Sequence, residues 1–229
     1  ILKPPSQRFP QLPEIEDLTM HMAEAARIKT VPHCLIRMKS GKLAYLTRRI
    51  DRTKKGKLHM EDMCQITGRL TENKYDGSYE QIAKAILRHS ANPRLDVINF
   101  FEVVLFCFLT GNADMHLKNF SLIDSPVTDD FSLASAYDLL STVLVMPADK
   151  EELALTLNGK KRNITLNDFK TAFKTLSIDE VVQNRLFSKF RKIQPALETM
   201  ISKSFLDKEL QLSYTELLTQ KYRQIRLDL

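Results

Sequence analysis

Asp114, Asn119 and Asp138 are the residues of this 229-residue chain whose types and spacing could do chemistry. They stand in the strings Gly111-Asn112-Ala113-Asp114-Met115-His116-Leu117-Lys118-Asn119-Phe120 and Ala136-Tyr137-Asp138-Leu139-Leu140-Ser141. Phosphoryl transfer from Mg-ATP needs such a set: one carboxylate orients and deprotonates the attacking hydroxyl, while an amide and a second carboxylate hold magnesium against the phosphates. In the kinase signature H-R-D-L-x-x-x-N the Asp and Asn are also five apart, and the later D-F-G supplies the second metal ligand. On this pattern Asp114 is the base, Asn119 and Asp138 ligate Mg²⁺ through oxygen, and Lys118 neutralises the transferring phosphoryl group. His116 could orient the loop by hydrogen bonding. A lone Asp and Asn in a loop would signify only a turn, and Lys118 alone a surface cation; the longer string is what is specific. Metal-assisted hydrolysis could use Asp114, His116 and Asp138, but it leaves Asn119 idle, and no serine sits in a G-x-S-x-G elbow.

These groups need a scaffold. Residues 95–110 are apolar enough to form a buried helix, which Gly111 ends. The run is short for a membrane span and carries Asp96, Asn99 and Glu102, so a core helix is expected. Residues 120–123 and 131–134 read as strands, with 124–130 as the turn and Asp138 just beyond. Further strands are expected at 1–3, 34–37 and 43–47, with Ser40-Gly41 as a hairpin turn. Pro4, Pro5, Pro10 and Pro13 should hold an extended linker. Helical patterns cover 14–27, 60–70, 78–90, 166–176, 181–202 and 213–226. Pro195 should kink or split the fifth of these, and Ser213 should cap the last.

The catalytic string, with Ala136 to Thr142, Glu61-Asp62-Met63-Cys64-Gln65, Lys74-Tyr75, Arg49-Ile50-Asp51-Arg52, Ile1-Leu2-Lys3-Pro4 and Leu153 to Lys160, resembles the HipA-like family of bacterial serine/threonine kinase toxins. The likeness covers most of the chain. It implies an α+β, two-lobed protein-kinase-like fold, with residues 1–52 as the remainder of a small β-containing N-lobe and hinge, and 53–229 as a mainly helical C-lobe. It implies ATP and Mg²⁺ as cofactors. Lys3 would grip the α/β-phosphates, and Glu16, placed by its P-x-x-E string, would pair with it; the plainer reading of Glu16 is an acid favoured by the helix dipole. Arg48, Arg49 and Ile50 would form the hinge, its backbone bonding the adenine edge and Ile50 covering the adenine face. None of the six glycines precedes Lys3, so the glycine-rich loop of the family, with its autophosphorylated serine, is expected upstream of Ile1.

The likeness further implies a cognate antitoxin and, as substrate, an aminoacyl-tRNA synthetase whose modification would arrest translation. The extra N-terminal subdomain of the family would be missing by truncation, or be a separate small protein as in its shortened, three-component form. The alternative is a catalytically silent kinase-like module that joins a repressor complex.

A net charge of +6 and a pI near 9.2 permit attraction to acidic partners. The basic residues cluster only at Arg48, Arg49, Arg52, Lys54, Lys55 and Lys57, with no reading helix or stacking aromatics, so DNA contact is expected only through an antitoxin. Cys34, Cys64 and Cys107 are scattered and odd in number, which excludes a disulfide framework and zinc-type spacing. No signal peptide or membrane segment is visible, and the cytoplasm is the expected compartment.

Overall fold

The computed structural model of the chain describes residues 1–125, 130–148 and 150–228. Its elements run β1 (Leu2–Lys3), α1 (Leu12–Ala25), β2 (His33–Arg37), β3 (Leu43–Thr47), β4 (Arg52–Thr53), β5 (Gly56–Lys57), β6 (Met60–Asp62) and α2 (Met63–Ile66). Then follow α3 (Tyr79–His89), α4 (Pro93–Thr110), β7 (Ser121–Asp124), β8 (Phe131–Leu133), α5 (Thr142–Val145), α6 (Leu166–Thr175), α7 (Glu180–Ser202) and α8 (Lys208–Gln224). The strands form antiparallel sheets in the orders β1-β3-β2, β4-β5 and β6-β7-β8.

In the first sheet Lys3 lies opposite Tyr45, which lies opposite Leu35. The tight β2–β3 hairpin needs Gly41 at φ +82°, a conformation that suits a residue without Cβ. Helix α1 packs on this sheet with one face and on α7 with another. Its Ile15, Leu18, Met22 and Ala23 are buried, and the Thr19 hydroxyl lies 2.9 Å from that of Tyr214 on α8. The helix begins at Leu12, so Pro13 falls in the first turn, where its missing N–H is harmless, and not in the expected linker.

Helix α4 is the centre of the molecule. Twelve of its eighteen residues are buried, including Phe100, Phe101, Phe106 and Phe108. Each large apolar side chain withdrawn from water contributes about 1.5–3 kcal/mol, so a helix hydrophobic all round is stable only inside the core. No helix among the described residues is long and apolar enough to cross a membrane. Gly111 closes α4 at φ +70°, and a Cβ there would meet Leu217 Cδ2 at 2.7 Å.

Two sequence expectations fail locally, and a third fails in one of its two alternatives. Residues 60–70 are not one helix: 60–62 pair with β7, and Asp62 then starts the short α2 through a reciprocal capping box with Gln65. Pro195 does not split α7, which runs unbroken because Phe190, Gln194, Leu197 and Ile201 are buried on both sides of it. Ser213 is not a cap; Asp207 accepts from Leu210 N and starts α8 a turn and a half earlier. Of the expected 124–130 turn, residues 126–129 lie outside the described residues.

Candidate active site

The first sheet, the segment after it and the β6-β7-β8 sheet border a cleft of about 520 Å³. Lys3 enters from β1, Glu16 from α1, and Arg48, Arg49 and Ile50 from the segment after β3. Lys118 and Asp138 line the opposite side. Asp114, His116 and Asn119 do not line it; they belong to the loop that carries Lys118.

At its centre the Lys3 ammonium is held by two carboxylates, 2.7 Å from Glu16 Oε1 and 2.5 Å from Asp138 Oδ1. These groups are 13 and 135 residues from Lys3 in sequence. Tyr45, opposite Lys3 on β3, lies with its ring centroid 5.7 Å from the ammonium. Burial opposes the Lys3 charge, but Asp138 and then Glu16 outweigh it and raise its pKa. Glu16 is 3% exposed. Burial, only partly offset by Lys3 and aggravated by Asp138 and Asp17, pushes its carboxyl up to about 7. The two partners thus disagree about the ion pair: it favours the lysine charge and fails to compensate the glutamate. The deeper group decides, because Glu16 has lost nearly all its water.

Asp138 has φ +59°. A non-glycine residue in that region is strained, and the surroundings must hold it there. Tyr137 does much of this: its hydroxyl donates to Lys118 O at 3.0 Å and lies 2.7 Å from Ser121 Oγ. That bond ties Asp138 to the Lys118–Asn119 turn. A second tie joins the same segments, because Thr142 Oγ1 accepts from Ala113 N at 2.8 Å and donates to Gly111 O at 3.3 Å. The two strings of the sequence are therefore one structural unit.

Within the loop, Asn119 donates from Nδ2 to Asp114 O at 3.0 Å, and Oδ1 is the side-chain atom that could ligate a metal. Asp114 is half-buried, not fully exposed as a loop tip would be. Its Oδ1 accepts from Tyr75 at 2.6 Å. His116 lies edge-on to Tyr75 with centroids 5.1 Å apart. Its Nδ1 is buried without a hydrogen-bond partner, and burial, outweighing Asp114, lowers its pKa. His116 therefore shapes the loop by packing and through its backbone N–H, which donates to Asp114 O, rather than through Nδ1. Lys118 makes a 3.3 Å bond to Thr71 Oγ1. In the segment after β3, the Arg49 guanidinium is engaged twice by Asp51, at 3.0 and 2.6 Å, and the Arg48 amide donates to Pro32 O. Oxygen donors from Asp138 and Asn119 suit a hard cation such as Mg²⁺.

Sequence reasoning assigned no part to Tyr75, Tyr137, Asp51, Asp62 or Gln65, although all five lie within the strings that carried the resemblance. Their signal was present as strings, and only the fold shows what they touch.

Residues 1–202 match the HipA-like C-terminal domain family. Among relatives, the chain is 33% identical over 179 residues to Y4dM of Sinorhizobium fredii, named as a candidate kinase, covering 73% of this chain and 43% of that protein. The structure is similar to HipA of Shewanella oneidensis MR-1, solved with HipB and its operator DNA, at a TM-score of 0.78 and 21% identity over 93% of this chain and 55% of that one. It is also similar to CtkA, a proinflammatory kinase of Helicobacter pylori, at a TM-score of 0.66 and 15% identity, covering 98% of this chain and 84% of the other. The chain thus spans about half the length of Y4dM and of Shewanella HipA, and the α+β, kinase-like fold expected from the sequence is the one found. This chain belongs to the HipA-like C-terminal domain family.

Proposed function

We propose that the protein is an ATP- and Mg²⁺-dependent serine/threonine protein kinase acting as the toxin of a bacterial toxin–antitoxin system. The observation that carries this reading is the Lys3 ammonium fixed between Glu16 and Asp138 at the centre of an open cleft. A lysine paired to a helix-borne glutamate beside a metal-binding aspartate is the arrangement that positions nucleotide phosphates in kinases. Residues 1–52 would serve as the remaining N-lobe and hinge, and 53–229 as the C-lobe.

Asp138 and Asn119 would hold Mg²⁺, which would supply positive charge to screen the charge that develops on phosphoryl transfer. Lys3 would exchange Asp138 for phosphate oxygens; Asp138, with 44% of its side chain exposed, keeps enough water contact to make that exchange inexpensive. Glu16 would hold Lys3 throughout. Lys118 would face the transferring group from the floor of the cleft. Asp114, one oxygen bonded to Tyr75, would take the proton of a substrate hydroxyl on the other. The Arg48 amide being engaged, adenine recognition would fall to the backbone of Arg49 and Ile50, with the Ile50 side chain against the ring. By likeness to the family, the substrate would be an aminoacyl-tRNA synthetase in the cytoplasm. The partner would be a small antitoxin, through which the protein would meet DNA.

Incubating the protein with γ-labelled ATP, Mg²⁺ and cell lysate tests this. Label should enter a lysate protein with wild type and not with Asp114→Asn. Equal labelling by the two would remove the reading.

A further inference from the structure

Asp17 and His21 stand four residues apart on α1 and therefore on one face of it. His33, the first residue of β2, comes from the sheet against which α1 packs. One donor atom from each of the three lies within 4.8 Å of the others, with His21 Nε2 3.7 Å from Asp17 Oδ1. The His33 side chain is fully buried and that of Asp17 is 10% exposed. Both His33 Nε2 and Asp17 Oδ1 are buried without a hydrogen-bond partner. Native interiors rarely leave two such atoms unsatisfied side by side unless something else satisfies them.

The remaining ring atoms explain the arrangement. His33 Nδ1 lies 2.9 Å from Val31 O, and a carbonyl only accepts, so Nδ1 carries a proton and the neutral ring offers its lone pair at Nε2. His21 Nδ1 lies 3.0 Å from Glu24 Oε2, whose other oxygen accepts from Thr30 Oγ1 at 3.0 Å. Both imidazoles are thus anchored through Nδ1, one by a carbonyl and one by a carboxylate, as metal-ligating histidines are.

We infer that Asp17, His21 and His33 form a divalent transition-metal site, best suited to Zn²⁺. Two imidazoles and a carboxylate favour zinc over magnesium or calcium, which prefer all-oxygen shells. Zinc bonds of about 2.0–2.2 Å require ligand atoms a little over 3 Å apart, so the His21–Asp17 pair is already close. The His21 side chain is 45% exposed, which gives the ion a way in and the ring room to close the remaining gap. None of the three residues lines the nucleotide cleft. The bound ion would fasten α1 to β2 and so fix the helix that presents Glu16 to Lys3, but its binding does not depend on the kinase reading.

The test is titration of EDTA-stripped protein with ZnCl₂ by calorimetry, and with CoCl₂ by visible absorption. Wild type should bind one Zn²⁺ with micromolar or tighter affinity, give the intense d–d bands of a low-coordinate Co²⁺ site, and ignore MgCl₂ at these residues. His21→Ala removes a half-exposed ring and leaves packing intact; it should weaken Zn²⁺ binding at least about tenfold and abolish the Co²⁺ bands. His59→Ala, which alters an exposed histidine elsewhere, should change neither. Zn²⁺ binding unaltered by His21→Ala, or no saturable binding by wild type, would overturn the site.

Discussion

Two buried carboxylates in this molecule have opposite fates. Glu16 in the cleft and Asp168 at the start of α6 are 3% and 1% exposed, and each has a lysine partner. Glu16 accepts from Lys3 and its pKa rises to about 7, burial being the largest cause. Burial acts on Asp168 too, but Lys160 at 2.9 Å, Asn158 at 2.8 Å, and Thr165 N and Oγ1 at 2.9 and 2.7 Å overcome it and hold the carboxyl at about 2. Glu16 lies deeper and has Asp138 and Asp17 near it, and one ion pair does not compensate it for lost water; at Asp168, set less deeply, four donors do. The cage is built for stability. The cleft keeps an under-satisfied acid, a strained Asp138 and a lysine shared between two carboxylates, the pattern expected where function competes with folding.

The comparison requires that changes near the cleft alter activity and changes in the cage alter stability. The largest effect should come from Asp114→Asn. Loss of a positioned base lowers kcat by about 10²–10⁴, while the thermal midpoint, read by calorimetry, should scarcely move because Asp114 is only half-buried. A variant with full kcat would take Asp114 out of the chemistry.

Asp168→Ala should do the reverse. It leaves Lys160, Asn158 and the Thr165 amide facing a cavity, and should cost about 2–4 kcal/mol in urea unfolding with kcat per folded molecule unchanged. The lowered pKa gives the sign with pH: the contribution is complete above 3.8 and lost as pH falls through about 2. Stability equal to wild type at neutral pH would show that the cage does not hold.

How much of this contrast was legible in the sequence differs between the two regions. Asp114 in the loop beside the cleft and Asp138 in the cleft were marked by spacing: five residues from Asp114 to Asn119, and a Tyr-Asp-Leu string after a hairpin. Lys3 and Glu16 were legible only by resemblance, since a strand-end lysine and an early helical acid are ordinary residues, and their meeting with Asp138 is a tertiary event. The cage was not foreseen. Leu153 to Lys160 was noticed only as a similar string, and its purpose appears when Asn158 at φ +50° and Gly159 at φ +75° turn the chain so that Asn158 and Lys160 reach Asp168. Helix α4 was readable from its largely apolar run and Gly111. The 60–62 strand was not, because its pairing with β7 lies some sixty residues away and overrides local propensity.

A smaller effect sharpens the contrast from the other side. In EDTA and without nucleotide, the raised Glu16 pKa means that the folded state binds this proton more tightly than the unfolded chain. The Glu16 contribution to stability should therefore be complete below pH 4.5 and be lost as pH rises through about 7, a change of up to about 3 kcal/mol. Glu16→Gln should flatten that slope in urea titrations across the window while lowering activity. An unchanged slope would mean that Glu16 is better satisfied than its surroundings indicate.

The central claim is that the Lys3–Glu16–Asp138 cluster receives a magnesium nucleotide. Calorimetric titration of ATP into wild type and Asp138→Asn, each with and without Mg²⁺, tests it most directly. A metal site built on one carboxylate and one amide loses most of its charge when the carboxylate goes. Wild type should bind ATP at least about tenfold more tightly with Mg²⁺ than without, and Asp138→Asn should lose that dependence. Equal Mg-ATP affinity in the two proteins would reduce Asp138 to a strained turn residue and contradict the account.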